Sequence, residues 1–134
     1  MNVVTQHGLH ENPARPDRIH RTLEGFEMPR TLIDNKPAQL AACRLLDAMS
    51  NGKRLEVLSL LSKSEMAVGA LADKVQLSQS ALSQHLAKLR ASDLVRTRRE
   101  AQTIYYSCES AAVHAILESL EEIQRTRRSA IQAA

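Results

Sequence analysis

The chain has few aromatic residues and no long apolar run. Among its 134 residues there is no tryptophan, one phenylalanine and two tyrosines, too few to stack the bases of a single-stranded nucleic acid. No apolar run approaches the roughly 20 residues that cross a membrane. Val3 and Val4 are followed at once by polar residues rather than by the apolar core of a signal peptide. We therefore expect a soluble, cytoplasmic protein that makes no contact with a membrane.

The residue patterns of several enzyme and cofactor sites are also missing. The two cysteines, Cys43 and Cys108, lie far apart in the sequence, so there is no Cys-x-x-Cys motif. Neither a Gly-rich phosphate loop nor a βαβ pattern is present. His114 and Glu118 lie one helical turn apart, but a zinc site needs more ligands than these two. The histidines near the N-terminus are loosely spaced. We expect no enzymatic activity, no cofactor and no metal.

Charge and proline placement divide the chain into three parts. Eighteen basic residues against fifteen acidic ones give a net charge of +3, and the pI is near 9.1; both permit nucleic-acid binding without requiring it. Residues 1–34 contain three of the four prolines and no lasting apolar stripe, which indicates a flexible N-terminal arm. We expect one folded domain over residues 35–128 and a C-terminal tail over residues 129–134.

The segment 68–95 has the pattern of two short helices joined by a tight turn. Each half carries an apolar stripe with helical spacing. The stripes consist of Val68, Leu71, Ala72 and Val75 in the first half and of Leu82, Leu86 and Leu89 in the second. Only Gln76 and Leu77 separate the first helix from Ser78, a residue type that caps helix N-termini. This spacing predicts a helix-turn-helix.

The opposite face of the second helix is polar near its N-terminus and carries no carboxylate. Short donors and acceptors of this kind hydrogen-bond base edges in the major groove, where a recognition helix places its N-terminal residues. They are Gln79, Ser80, Ser83 and Gln84. We expect Gln84 to be the main base contact, because an amide can pair bidentately with adenine, and Ser78 to reach a phosphate as well as capping the helix. The alternative interpretation is an ordinary solvated helix face.

After the second helix the pattern changes from helical to extended. Two runs rich in β-forming residues, 95–99 and 103–108, predict a β-hairpin whose turn lacks glycine and is expected to be somewhat open. Arg98 and Arg99 precede the tip and Gln102 follows it. Such a hairpin after a helix-turn-helix is a wing, placed to contact phosphates or a minor groove. Five basic residues against two acidic ones in the second helix and wing give an excess equal to the net charge of the chain.

Apolar stripes also predict helices on both sides of this unit. Two precede it, over about 37–49 and 55–61, and one follows it, from a cap at Ser110 to a basic cluster at 125–128. The fold class is mainly α with a β-hairpin wing (α+β), a winged helix-turn-helix. Apolar surface on the terminal helices would be buried by a second copy, so we expect a two-fold homodimer with recognition helices one DNA turn, roughly 34 Å, apart.

The chain resembles the ArsR/SmtB family of bacterial winged-helix repressors over roughly residues 36–124. Three runs carry the resemblance: MSNGKRLEVLSLL, VGALADKVQLSQSALSQHLAKLRASDLV and RTRREAQTIYYS. Within the family it is most similar to the branch of the BigR, SqrR and HlyU regulators. The resemblance implies a nucleoid-associated bacterial homodimer that binds an inverted repeat in double-stranded promoter DNA, represses transcription and releases the DNA when an inducer arrives.

The resemblance also implies a role for the two cysteines. In the BigR/SqrR-like members one cysteine at each of these positions forms a sensing pair for reactive sulfur species such as persulfides and polysulfides. Carried over, this makes Cys43 and Cys108 a redox-sensing pair that is bridged when the inducer arrives. The residues alone leave other interpretations open. Each cysteine is a small buried hydrophobe, or the protein responds to peroxide or metal, or it is a HlyU-like regulator with no thiol switch.

Overall fold

A computed structural model describes residues 34–134, which form five helices and three strands. In chain order these are α1 (Lys36–Met49), α2 (Gly52–Leu61), β1 (Met66–Ala67), α3 (Val68–Val75), α4 (Gln79–Ala91), β2 (Arg96–Glu100), β3 (Thr103–Ser107) and α5 (Ala111–Ala133). The expected fold, mainly α with a hairpin wing after a helix-turn-helix, is confirmed. The chain from Leu40 onward forms one compact unit. Apart from Asp34, the expected N-terminal arm lies outside the described residues.

The helix-turn-helix consists of α3 and α4. α3 ends at Val75, and the capping residue Gln76 has a left-handed backbone (φ 54°, ψ 49°) that turns the chain away from the helix axis. Ser78 then caps α4, since its hydroxyl oxygen accepts a hydrogen bond from the backbone N–H of Ala81 at 3.1 Å. This cap satisfies one of the N–H groups that have no partner within the helix, a contribution of about 1 kcal/mol. The cap predicted from the sequence is confirmed.

A core of aliphatic side chains holds α2, α3 and α4 together. The largest fully buried side chains are Leu58, Leu71, Leu82, Leu86, Leu89, Val57, Val75 and Val113. Burying each of these contributes about 2 kcal/mol relative to leaving it in water. Because the leucines of α4 face this core, the polar side of the same helix must face solvent.

The three strands form an antiparallel sheet in the order β1–β3–β2, with β1 before the helix-turn-helix and the two wing strands after it. β2 and β3 pair along their whole length, and β1 adds Met66 and Ala67 opposite Tyr106 and Tyr105. β1 was not predicted from the sequence, because two residues are too few to show the alternation of a strand. β1 runs directly into α3 and therefore joins the wing to the start of the helix-turn-helix.

The wing ends in a two-residue turn, which is tighter than the open turn expected from the sequence. Glu100 pairs with Thr103, so only Ala101 and Gln102 lie between the strands. The chain reverses this sharply because Ala101 adopts a left-handed conformation (φ 51°). Glycine and asparagine adopt that conformation far more readily than alanine, so the sequence carried no signal for the turn.

α5 continues to Ala133, past the domain boundary expected at residue 128. Its N-terminus is the predicted one, with the hydroxyl oxygen of Ser110 accepting from the backbone N–H of Val113 at 3.4 Å. The residues after Arg128 include neither glycine nor proline, so nothing there breaks the helix. Residues 129–133 thus belong to α5 and not to a separate tail. No helix within residues 34–134 is long and apolar enough to cross a membrane.

Replacing Ala101 by glycine is expected to raise the free energy of unfolding by about 0.5–1 kcal/mol. An alanine in the left-handed conformation is strained by roughly 1–2 kcal/mol, and glycine removes this strain. Part of the gain is lost, because glycine has more conformational entropy in the unfolded chain. Urea denaturation followed by circular dichroism measures the difference. Gln102→Gly is the matched control, because Gln102 does not have a positive φ, and it should lower stability. Destabilisation by Ala101→Gly would contradict the turn geometry.

Candidate nucleic-acid interface

The N-terminal half of α4 presents a polar face to solvent. The capping residue and all the base-contact residues predicted from the sequence are exposed: Ser78, Gln79, Ser80, Ser83 and Gln84. The first turn of α4 holds no acidic residue, so nothing opposes the attraction of its N–H groups for a phosphate. The structure thus brings the five predicted residues together at one end of one helix, the end that enters the major groove in recognition helices.

The wing carries its two central arginines on opposite faces of the hairpin, since side chains alternate along a strand. Arg99 lies on the face that includes the buried Tyr106, at the end nearest the tip, and Gln102 is exposed at the tip itself. The Nε of Arg99 donates to the carbonyl oxygen of Ala101 at 3.2 Å, which directs the side chain along the turn. No carboxylate within residues 34–134 forms an ion pair with Arg99, so its charge is available to a phosphate.

Arg98 is in a different situation, because two carboxylates bind its guanidinium. Nε lies 3.2 and 3.3 Å from the two carboxylate oxygens of Glu65, and Nη2 lies 2.6 Å from Oε1 of the same residue. Nη1 donates to Glu100 at 2.8 Å. The guanidinium also lies over the ring of Tyr105, 4.6 Å from its centroid. The hydrogen bond from Arg98 lowers the pKa of Glu65, and the bonds to Glu65 and Glu100 raise the pKa of Arg98.

An ion pair also joins α4 to α1. Nζ of Lys88 lies 2.9 Å from Oδ2 of Asp47, and the hydrogen bond and charge of Lys88 hold the pKa of the Asp47 carboxyl below its usual value. Arg54 donates to the carbonyl oxygens of Ala48 and Asp47 at 2.5 and 3.1 Å, fixing the end of α1 against α2. Neither Glu65 nor Asp47 was predicted from the sequence, because their partners lie far along the chain and no local pattern marks them.

The two cysteines occupy different environments, and both are free thiols. Cys43 is exposed on α1, whereas Cys108 is buried between β3 and α5. The backbone N–H of Cys108 donates to the carbonyl oxygen of Leu61 at 3.3 Å, so this residue is tied to the end of α2. Burial raises the pKa of the Cys108 thiol, and a hydrogen bond from the backbone of Ser110 opposes that rise in part. At neutral pH Cys108 is therefore a protonated, shielded thiol.

Potential metal ligands are sparse in the part of the chain that the structure describes. It contains no group of three or more histidine, cysteine, aspartate or glutamate side chains able to hold an ion. His114, the candidate ligand on α5, instead has its Nε2 atom 3.3 Å from the carbonyl oxygen of Cys108. This contact connects the first turn of α5 to the end of the wing.

A capped helix with an exposed polar face, set in a helix-turn-helix and followed by a basic hairpin, defines a winged helix-turn-helix DNA-binding protein. The model of the arsR family of bacterial regulatory proteins matches residues 51–97. The nodulation protein NolR of Rhizobium meliloti is 58% identical to this chain over 112 residues, covering 80% of this chain and 91% of that protein. The chain therefore belongs to the ArsR family of DNA-binding transcriptional regulators and is not an enzyme.

Two further relatives agree with this assignment. The transcriptional activator HlyU of Vibrio cholerae is 45% identical over 95 residues, covering 71% of this chain and 88% of that protein. The crystal structure of the transcriptional repressor BigR from Xylella fastidiosa covers 67% of this chain and 92% of that chain at 31% identity, with a TM-score of 0.63. The winged helix-turn-helix fold expected from the sequence is confirmed by this similarity.

Cys43 is expected to react with iodoacetamide at least tenfold faster than Cys108 in the folded protein at pH 7.5. Only the thiolate form of cysteine attacks iodoacetamide. Cys108 reacts more slowly because it is buried and because burial raises the pKa of its thiol. Raising the pH should speed the reaction of Cys108, since its thiolate fraction is still growing. Peptide mass spectrometry of quenched samples measures both rates, and denaturation in urea is the control that should equalise them. Faster labelling of Cys108 would contradict the buried environment.

Proposed function

We propose that the protein is a homodimeric repressor that binds an inverted repeat in promoter DNA. The observation that carries this proposal is the exposed, carboxylate-free polar face of α4, held outward by its buried leucines and followed by a basic wing. Among the relatives, BigR is named as a repressor and HlyU as an activator. Repression is the simpler function for this architecture, because a dimer that occupies a promoter blocks transcription without any further contact.

The contacts with DNA divide into base readout and backbone positioning. Gln84 reads a base edge in the major groove, supported by Gln79, Ser80 and Ser83, all of which are exposed on the same end of α4. The N-terminus of α4, with Ser78, receives a phosphate. On the wing, Arg99 and Gln102 contact the backbone or the minor groove beside the major-groove site. Specificity thus comes from α4, and the wing adds affinity that does not depend on the base sequence.

Exposed apolar side chains on the two terminal helices support the dimer. Leu40 and Leu46 on α1 are 54% and 55% exposed, and Ile123 on α5 is 49% exposed. A second copy packed on these helices removes this surface from water, which favours association. A two-fold axis through such an interface places the two α4 helices against successive major grooves of an inverted repeat.

Fluorescence anisotropy with DNA from the protein's own upstream region tests DNA recognition. Gln84→Ala should reduce the preference for the operator over scrambled DNA by roughly tenfold, because a bidentate base contact contributes about 1–3 kcal/mol of discrimination. Arg99→Gln should weaken both DNAs alike and reduce the slope of log K against log salt by about 0.9 per lost phosphate contact. Gln124→Ala, at an exposed glutamine of α5, is the control. No binding by the wild-type protein would overturn the proposed function.

We further propose that Cys43 and Cys108 form a thiol switch for reactive sulfur species. Their environments support a division of labour, since Cys43 is accessible to a reagent in solution and Cys108 is shielded. The chain is 31% identical to the transcriptional repressor BigR, a member of the branch whose resemblance implied this pair. Cys43 is accordingly the attacking residue and Cys108 the resolving one.

The chemistry balances in two steps. The Cys43 thiolate attacks the outer sulfur of a persulfide RSSH, the S–S bond of the persulfide breaks, and RSH leaves, so that Cys43 itself becomes a persulfide. Cys108 then loses its proton and attacks the inner sulfur of that persulfide, forming the disulfide and expelling hydrosulfide. The two thiols are oxidised and the sulfane sulfur is reduced. Cys43 is exposed and Cys108 is buried, so we expect a disulfide, which brings the sulfurs to about 2.05 Å, to shift the segments that carry them.

That shift acts on both DNA-binding elements. Cys43 lies one helical turn before Asp47, the partner of Lys88 on α4, so a displaced α1 breaks the ion pair that joins it to the recognition helix. Cys108 directly follows the wing strand β3 and holds its backbone bond to Leu61. A coupling of about 1–3 kcal/mol between the disulfide and DNA would weaken binding 5- to 150-fold.

Anisotropy before and after treatment with an organic persulfide, with intact and peptide mass spectrometry of the same samples, tests the switch. The expected result is weaker DNA binding together with a Cys43–Cys108 disulfide. Cys43→Ser and Cys108→Ser should bind DNA like the untreated wild type and stay bound after treatment. Adding dithiothreitol to the treated wild type should restore binding. Unchanged wild-type affinity would overturn the switch, and release by peroxide alone would reassign its inducer.

A further inference from the structure

We propose that Arg98 is a positioning residue rather than a phosphate contact, and that Glu65 is its anchor, which fixes the wing to the start of the helix-turn-helix. The inference rests on the proposed DNA-binding function and adds to it a residue, Glu65, that lies in neither α4 nor the wing. It also separates two neighbouring arginines, Arg98 and Arg99, that sequence analysis assigns the same role.

The register of the sheet places Arg98 at one end of a row that crosses all three strands. Arg98 on β2 lies opposite Tyr105 on β3, and Tyr105 lies opposite Ala67 on β1. The Arg98 side chain extends along this row over the ring of Tyr105 and reaches Glu65, which lies just before β1. One side chain thus spans the sheet from the wing strand to the strand that leads directly into α3.

The guanidinium has its donors directed at these protein partners. Nε and Nη2 form a fork on the carboxylate of Glu65, and Nη1 is held by Glu100 two residues along the same strand. An isolated exposed ion pair contributes little, but a forked arginine held in a network is the exception. Glu65 is also the less exposed of the two acidic partners, at 36% against 67% for Glu100. To contact a phosphate, Arg98 would have to break its hydrogen bonds to the carboxylates of Glu65 and Glu100.

The neighbouring Arg99, unlike Arg98, has no carboxylate partner among the described residues. Arg99 points to the other face of the hairpin, nearer the tip, and bonds only to a backbone carbonyl among the described residues. The wing is otherwise weakly held, since every residue of β2 is exposed. A brace between Arg98 and Glu65 therefore sets the position from which Arg99 and the tip meet the DNA.

The two possible roles of Arg98 predict opposite effects of Glu65→Gln on DNA affinity. If Arg98 binds phosphate, removing Glu65 releases the guanidinium and removes a negative charge, so binding tightens. If Arg98 is a brace, removing Glu65 loosens the wing, and binding weakens about three- to tenfold even though the protein has become more positive. A three- to tenfold change is what a charge network of about 1 kcal/mol produces.

Anisotropy with operator DNA at several salt concentrations is the deciding experiment, on full-length wild type, Glu65→Gln, Arg98→Gln, Arg98→Lys and the double variant E65Q/R98Q. We expect all four variants to bind more weakly than wild type, the double variant to be no weaker than Arg98→Gln, and the salt slope of Arg98→Gln to stay at the wild-type value. Arg98→Lys should be impaired as well, because a lysine keeps the charge but lacks the planar fork that bridges the two carboxylates.

Glu109→Gln is the matched control. Oε2 of Glu109 lies 3.8 Å from Nε of Arg96 at the base of the wing, and this substitution changes the net charge by the same amount as Glu65→Gln. It should leave affinity unchanged or slightly higher. Tighter binding by Glu65→Gln, or a salt slope reduced by about 0.9 per protomer in Arg98→Gln, would overturn the positioning role. These outcomes differ from failure of the proposed function, in which wild-type protein itself does not bind DNA.

Discussion

The inward packing of the α4 leucines is the interaction on which the rest of the interface depends. Leu82, Leu86 and Leu89 are fully buried, and rotating α4 to expose them would cost roughly 6 kcal/mol at about 2 kcal/mol each. That cost fixes which side of the helix faces outward. The polar side chains of α4 make directional hydrogen bonds, which have value in recognition only if the helix cannot roll. Core burial therefore sets the orientation that base readout requires.

The wing is held by weaker and different forces. Its base is anchored by the buried Leu94, Val95 and Tyr106, but the strand that carries its arginines is exposed along its whole length. Beyond the base, position depends on strand register and on ion pairs in water, which are worth far less than burial. The wing is consequently the more adjustable of the two DNA-binding elements. This is the element that Cys108 adjoins, and it is where a modest chemical change can have its largest effect.

Sequence periodicity predicted the parts of this fold whose causes are local. The leucine stripes, the caps at Ser78 and Ser110 and the exposed face of α4 all follow from residue types a few positions apart. The sequence did not predict β1, the left-handed turn at Ala101 or the partners of Arg98, because these depend on three-dimensional register. Glu65 lies 33 residues before Arg98, and no helical or strand period connects them. The contrast between an exposed and a buried cysteine likewise arises from packing that composition does not encode.

The ion pairs also reduce the number of basic side chains of α4 and the wing that are free to contact DNA phosphates. Of the five basic residues there, Lys88, Arg96 and Arg98 have carboxylate partners within residues 34–134. Fewer cations are left for phosphates than the sequence suggests, so neutral amides and hydroxyls on α4 supply a larger share of the binding energy. Phosphate attraction tolerates small displacements, whereas hydrogen bonds to base edges do not. Operator recognition by such an interface therefore depends more on the exact position of α4 than binding through phosphates alone would.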